Sequence, residues 1–95
     1  MPEELRMAIE QKAIQLIEER RKVARITIDQ LATVLYPEKP VASGRMMIQR
    51  LRRPQGDREP RKMSLGEFVE LFRAVGVNPV QALGVVLQEI EDTKI

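Results

Sequence analysis

The 95-residue chain contains no cysteine, no histidine and no tryptophan. Without cysteine, neither a disulfide framework nor a thiolate metal site can form, which suits a reducing compartment. Without cysteine and histidine, the sequence lacks the commonest general base, the usual nucleophile pairings and the usual zinc ligands. We therefore predict that the protein is not an enzyme and that it binds no metal and no small-molecule cofactor.

Long apolar runs are also missing, since no stretch approaches the ~20 residues that a membrane-spanning helix needs. The start of the chain, Met1-Pro2-Glu3-Glu4, is acidic, whereas the first segment of a signal peptide is basic. These observations predict a cytoplasmic protein with no membrane partner. With 43% hydrophobic and 32% charged residues, the composition is that of a globular protein, and its length predicts a single domain over residues 1–95.

The charged residues are distributed unevenly along the chain. The segment from Arg45 to Lys62 carries seven cationic and two acidic side chains, a net charge of +5. The remainder carries nine cationic and twelve acidic side chains, a net charge of −3, so the total of +2 hides one basic patch. Such a patch is typical of a protein that binds a polyanion. A smaller cluster, Arg20 to Lys22, falls in the last turn of a predicted helix, where the helix dipole favours cations, and we favour this structural interpretation over a DNA contact.

Periodicity and capping signals predict an all-α fold of five helices. The first helix runs from Pro2 to about Lys22, and a capping box at residues 27–30 opens the second, which ends at Tyr36. In the second helix, Ala32 is small enough to let another helix approach closely. The residues predicted to face the core from these two helices are Leu5, Ile9, Ala13, Leu16, Ile17, Leu31, Val34 and Leu35.

The second half of the chain predicts three more helices. The third is capped by Ser43 or a neighbour and ends at Arg53, before a charged loop over residues 54–60. Ser64 to Glu67 form a second capping box, Gly76 ends the fourth helix, and Asn78 caps the fifth. In the fifth helix Ala82, Val85 and Val86 lie partly outside the main stripe and form either a second covered face or an exposed apolar patch. The fourth helix is strongly apolar, through Leu65, Phe68, Val69, Leu71, Phe72 and Val75. The residues of the third and fifth helices predicted to face the core are Met47, Ile48, Leu51, Val80, Leu83, Leu87 and Ile90.

This order of helices resembles the helix-turn-helix DNA-binding domain of the lambda-repressor, or Cro/XRE, type. The resemblance is carried by residues 27–35, 48–51 and 64–79, the last of which matches without a gap. It implies a five-helix lambda-repressor-like domain and a sequence-specific double-stranded DNA-binding transcriptional regulator, a small bacterial or phage Cro-like repressor. The chain departs from the family in a longer turn from Tyr36 to Ser43 and an enlarged loop after the third helix. It also carries Ile28 where many members have a Gln that reaches a phosphate.

Carried over from the resemblance, the outward face of the third helix would read base edges in the major groove. Met46 is open to two interpretations, cover of a thymine methyl group or a place in the core, and Arg50 and Arg52 could instead belong to a solvated face. The expected base-reading residues are Gly44, Arg45, Met46, Gln49 and Arg50. The expected phosphate-binding residues are Thr27, Ser43, Arg52, Arg53, Arg58, Arg61 and Lys62.

Two further questions stay open at the level of the sequence. The extra apolar face of the fifth helix makes a homodimer an option beside a monomer. The same helical fold could also be a protein–protein interaction module, antitoxin-like or a phage accessory protein, whose basic face meets an acidic partner. RNA binding is disfavoured because the aromatic residues are only Tyr36, Phe68 and Phe72, and both phenylalanines are predicted to be buried.

Overall fold

The structure, a computed structural model, describes residues 3–52 and 62–93. These residues form five α-helices and no strand, which confirms the all-α prediction over the described ranges. The charged loop predicted at residues 54–60 lies outside them. The helices are α1 (Glu3–Val23), α2 (Ile28–Leu35), α3 (Val41–Arg52), α4 (Leu65–Ala74) and α5 (Pro79–Thr93).

The end of α1 is held by a Schellman motif with an unusual residue. The Ile26 amide donates to the Arg21 carbonyl at 2.9 Å, and Arg25 takes the left-handed conformation, with a φ of 59°. The Arg21 guanidinium donates to the Ile26 carbonyl at 2.9 Å and pairs with Glu18 at 2.9 Å. The structural interpretation of the cationic cluster therefore holds for Arg21, whose side chain closes its own helix.

The helix α2 begins with the predicted capping box. The Thr27 Oγ1 accepts the Gln30 amide at 3.1 Å, and the Thr27 amide donates to Gln30 Oε1 at 2.8 Å. Because both bonds join residues three apart, this cap was predictable from local sequence alone. The helix ends at Leu35, and the amide of Tyr36 donates to the Ala32 carbonyl at 2.9 Å.

The start of α3 was predicted wrongly. The helix begins at Val41, so Ser43 is its third residue and not its cap, and the connection from α2 is residues 36–40. The Pro40 carbonyl accepts the amides of Ser43 and Gly44 at 3.0 and 3.1 Å. A proline just before a helix needs no donor, because the first amides of a helix have no intrahelical partner. The long turn expected from Tyr36 to Ser43 is thus shorter than predicted.

The caps of α4 and α5 are those expected from the sequence. The Ser64 Oγ accepts the Glu67 amide at 3.1 Å, and the Ser64 amide donates to Glu67 Oε1 at 3.0 Å. Gly76 ends α4 with a φ of 79°. Asn78 Oδ1 accepts the Val80 amide at 2.8 Å and thereby opens α5.

One apolar cluster joins all five helices. Its centre is on α4, where Leu71 and Phe72 are fully buried and the Phe68 and Phe72 ring centroids lie 4.7 Å apart. No polar or charged side chain is buried within the described ranges. The cluster consists of Ala13, Ile14, Ile17, Leu31, Ala32, Ile48, Leu51, Phe68, Leu71, Phe72, Val75, Ala82, Val86 and Ile90.

Several residues predicted to face the core lie outside it. Val34 and Val80 are 59% and 79% exposed. On α5 the buried row is Ala82, Val86 and Ile90, whereas the predicted Leu83 and Leu87 are 39% and 40% exposed. The sequence of α5 contains two apolar rows, and the row that begins with the small Ala82 lets the helix approach α1 and α4 more closely.

The helices were also compared with the length and hydropathy of a membrane span. Within residues 3–52 and 62–93 no single helix is both long and apolar enough to cross a membrane. The α4 and α5 segments reach the length and hydropathy of a membrane span only when they are taken together, and the chain bends by 108° between them.

Candidate functional site

The candidate site is the outward face of α3, at the start of the most basic segment of the chain. Ile48 and Leu51 anchor the opposite face in the core. Ala42, Met46 and Gln49 are exposed and follow one another at the four- and three-residue spacing of one helix face. Met46 is 55% exposed, so its interpretation as a core residue is wrong and its side chain is offered to solvent.

Gly44 is buried where α3 packs against α2. A Cβ built on Gly44 would lie 3.1 Å from the Ala32 Cβ and 3.4 Å from the Ala32 carbonyl oxygen. The two backbones are therefore closer than a larger pair of side chains would allow, which confirms that Ala32 permits a close helix approach. Gly44, expected among the base-reading residues, lies in this contact, and the structure gives it a packing role.

Arg45 forms an ion pair that the sequence did not indicate. Its Nε lies 2.7 Å from Asp29 Oδ1 in the first turn of α2, and the two side chains are 44% and 54% exposed. The residues are 16 positions apart, so only the packing of α3 on α2 brings them together. The pair places a cation and a carboxylate side by side at the edge of the exposed face of α3.

The remaining expected base-reading residues lie on the last turn of α3. Gln49 is exposed and Arg50 is half-buried. Ala42 was missed because residues up to 42 were assigned to the turn. Ile28, the departure from the family pattern, is half-buried against the core, so at this position the chain has a packing residue.

Two of the expected phosphate-binding residues lie near this face. Thr27 is exposed, but its hydroxyl and its amide are both engaged by Gln30, which leaves the next amides of α2 to meet an anion. Ser43 is exposed on the first turn of α3. The carboxylate of Asp29 lies in the same first turn of α2 as those amides, so it opposes an anion there unless Arg45 neutralises it.

The other expected phosphate-binding residues are placed only in part. Arg52 is the last residue of α3, whereas Arg53, Arg58 and Arg61 lie outside the described ranges. Lys62 is exposed, and the next amide, that of Met63, donates to Glu10 on α1. The hydrogen bond from Arg6 lowers the pKa of Glu3, and the charge of Lys62 contributes to the same shift. Lys62 thus lies near the acidic first turn of α1.

A hydrogen bond between distant parts of the chain supports the α2–α3 contact. The Tyr36 hydroxyl donates to Glu67 Oε2, while Oε1 of the same carboxylate accepts the Ser64 amide in the α4 cap. The Tyr36 ring lies 3.4 Å from the Cβ position built on Gly44. Tyr36 therefore links the start of α4 to the place where α3 leaves the turn.

Comparison with protein-family models, curated proteins and solved structures gave no match. Over the described ranges, no three acidic side chains are grouped so that they could hold a metal ion. The exposed face of α3 instead offers a thioether, an amide and guanidinium groups, from Met46, Gln49, Arg45 and Arg50. The amide and guanidinium groups are hydrogen-bond donors, and the guanidinium groups carry positive charge.

Proposed function

We propose that the chain is a sequence-specific double-stranded DNA-binding transcriptional regulator with a lambda-repressor-like helix-turn-helix, a small Cro-like repressor that occupies operator DNA in the cytoplasm of a bacterium or in a phage-infected cell. The observation that supports this most is the exposed face of α3, which is held on α2 by the Ala32–Gly44 contact and opens the most basic segment of the chain. The function needs no catalytic residue and no cofactor.

The chemistry of this face matches the major groove. An α-helix fits the width of the groove, and side chains on its outer face reach base edges. Arg45 can donate to O6 and N7 of a guanine, Gln49 can pair with N6 and N7 of an adenine, and Met46 can cover a thymine methyl group. Each well-formed bidentate contact supports about 1–3 kcal/mol of discrimination between bases.

The cations beyond the end of α3 supply the part of the affinity that does not depend on sequence. Phosphate contacts set the position of a protein on the duplex, and each one releases counterions. The chain places four cationic residues within or beside the predicted loop, Arg53, Arg58, Arg61 and Lys62, in addition to Arg52 at the end of α3. This abundance of cations makes binding strongly salt-dependent.

The first test is a fluorescence-anisotropy titration of a random duplex and of a duplex selected from a random pool, at several salt concentrations. If about six phosphates are neutralised, the logarithm of the affinity falls with the logarithm of salt at a slope near −5. Arg45→Ala should relax preference at one base pair, whereas Lys62→Ala should weaken both duplexes alike.

Two outcomes of this titration would contradict the proposal. Absence of binding at low ionic strength would favour the protein–protein interaction module, which need not bind DNA. Identical effects of Arg45→Ala and Lys62→Ala on both duplexes would show that α3 does not read bases. Absence of an enriched motif after selection would likewise remove the regulator function.

We further propose that the chain acts as a homodimer through the exposed apolar row of α5. Val80, Leu83 and Leu87 follow one another at three- and four-residue spacing, with Gly84 beside them. Leu83 also lines a groove with the exposed Leu65, which extends the apolar surface onto α4. One short helix in one major groove gives modest affinity for DNA. A dimer places two such helices in successive major grooves, and its affinity is higher.

The charges on α5 favour an antiparallel arrangement of two copies. The first turn contains no acidic residue, while Glu91 and Asp92 lie near the carboxyl end. In an antiparallel pair, Val80 of one copy faces Leu87 of the other, and the acidic end lies near the positive end of the other helix dipole. This arrangement covers the apolar row with an identical row.

A further inference from the structure

We infer that Asp29 is a specificity-determining residue, which holds the Arg45 guanidinium in place to read a guanine. The inference rests on the proposed function, because it concerns how the same face of α3 chooses among duplexes. It goes beyond that function by assigning a role to an acidic residue on α2, at a surface where every other expected contact residue is neutral or cationic.

The geometry of the pair supports this role. The hydrogen bond to Asp29 Oδ1 uses the Nε–H of Arg45, at 2.7 Å. A guanidinium has five N–H donors in a rigid plane, so a carboxylate on Nε fixes the plane, while the terminal Nη groups form its far edge. That edge is the one that can donate in a fork to O6 and N7 of a guanine.

An exposed ion pair has little value for folding, which points to another use. The side chains are 44% and 54% exposed, and pairs of this kind contribute little to stability because water screens them. The helix dipole already stabilises the charged Asp29 carboxylate, because this residue lies in the first turn of α2. The carboxylate therefore does not need Arg45 to stabilise its charge. The consequence of the pair lies in what it does to Arg45.

Asp29 affects specific and non-specific binding in opposite directions. Its negative charge repels the phosphate backbone of every duplex, so it weakens binding that does not depend on sequence. By ordering Arg45 before binding, it reduces the loss of side-chain freedom when the arginine meets a guanine. Specificity is a difference of affinities, and a residue that penalises the wrong duplex and assists the right one increases that difference.

The test compares Asp29→Asn with Glu38→Gln, a control that removes the same charge from an exposed residue of the nearby turn. Each variant is titrated with a random duplex, with the duplex selected by the wild-type chain, and with single base-pair variants of it. Both substitutions should raise affinity for the random duplex. Asp29→Asn alone should lower discrimination at one G·C pair, by about tenfold if one bidentate contact is lost.

A double-mutant cycle identifies the partner of Asp29. Arg45→Ala should remove discrimination at the same G·C pair, and Asp29→Asn should then have no further effect there. Circular-dichroism melting of each variant checks that the helices are intact. The base-pair profile is informative because a merely structural role would lower affinity for all duplexes together.

The outcomes separate this inference from the function on which it rests. If the wild-type chain binds no duplex at low salt, the proposed function and the inference both fall. If it binds with a defined motif, but Asp29→Asn keeps full discrimination at every position, the inference alone is wrong. Loss of discrimination at a base pair that Arg45→Ala does not affect would also overturn it.

Discussion

At the scale of single residues, Arg25 has a conformation that suits glycine. Its φ of 59° lies in the left-handed region, where a side chain costs about 1–2 kcal/mol relative to helical geometry. Gly76 has the same place at the end of α4, with a φ of 79°. A residue in the left-handed conformation thus follows both helices, an arginine after α1 and a glycine after α4. The cost of this conformation can therefore be compared at the two helix ends.

We predict that Arg25→Gly raises the free energy of unfolding by about 1 kcal/mol, because glycine takes the left-handed conformation without strain. The reverse control is Gly76→Ala, which should lower it by a similar amount. A Cβ on Gly76 meets no atom within 4 Å, so backbone strain alone would act there. Urea denaturation measures both changes, and a destabilised Arg25→Gly variant would mean that the Arg25 side chain stabilises the helix end.

The sequence predicted some residues of the site and did not predict others. Arg45, Met46 and Gln49 were expected on the outer side of α3 because helical spacing fixes which residues share a face. Asp29 was missed, since a pair 16 residues apart depends on how two helices pack. Gly44 was expected on the surface because the family resemblance assigns a base-reading role to its position. Its burial could not be predicted, because the spacing of apolar residues does not indicate whether a glycine is buried.

At the scale of helices, one carboxylate connects two elements. Glu67 completes the α4 capping box with Oε1 and accepts the Tyr36 hydroxyl with Oε2. The start of α4 and the end of α2 therefore share a hydrogen-bonding group.

We predict that Tyr36→Phe lowers the free energy of unfolding by about 1 kcal/mol, because it removes a part-buried hydrogen bond. In a Glu67→Ala background the same substitution should cost less, since the acceptor is already gone. Thermal or urea unfolding of the two single variants and the double variant measures the coupling. Additive effects would show that the Tyr36 hydroxyl stabilises the fold through another group.

Helix ends were predicted better than helix faces, for a physical reason. Thr27, Ser64 and Asn78 cap their helices through bonds to residues two or three positions away, so the local sequence contains all the information. Which face of α5 is buried depends on how this helix packs against α1 and α4. The sequence of α5 contains two apolar rows, and either row could have been the buried one. The start of α3 was placed too late because serine is a common capping residue, whereas the helix begins directly after Pro40 and Ser43 lies inside it.

At the scale of the whole molecule, the apolar row Val80, Leu83 and Leu87 of α5 is exposed and lies outside the core. We predict that the wild-type chain sediments as a dimer at micromolar concentration and that Leu83→Lys makes it monomeric, because a buried lysine at the row would lose its hydration. Val34→Lys is the matched control, since Val34 is 59% exposed on α2. Sedimentation equilibrium measures both variants.

Two results would count against this dimer. A wild-type chain that is monomeric at 10-fold higher concentration would show that the row is simply a solvated surface, and a dimer that survives Leu83→Lys would place the contact elsewhere. If the dimer forms, the duplex selected from a random pool should have two-fold symmetry, with half-sites about 10 base pairs apart.

The contact between Ala32 and Gly44 has a consequence for how the sequence can change. Because Gly44 has no Cβ, α3 lies so close to α2 that a Cβ at this position would be only 3.1 Å from the Ala32 Cβ. A larger residue at position 44 would move α3 relative to α2 while the outward side chains of α3 stayed the same. Under the proposed function, a substitution at this buried position would therefore change how α3 meets a duplex without changing any of the exposed side chains of α3.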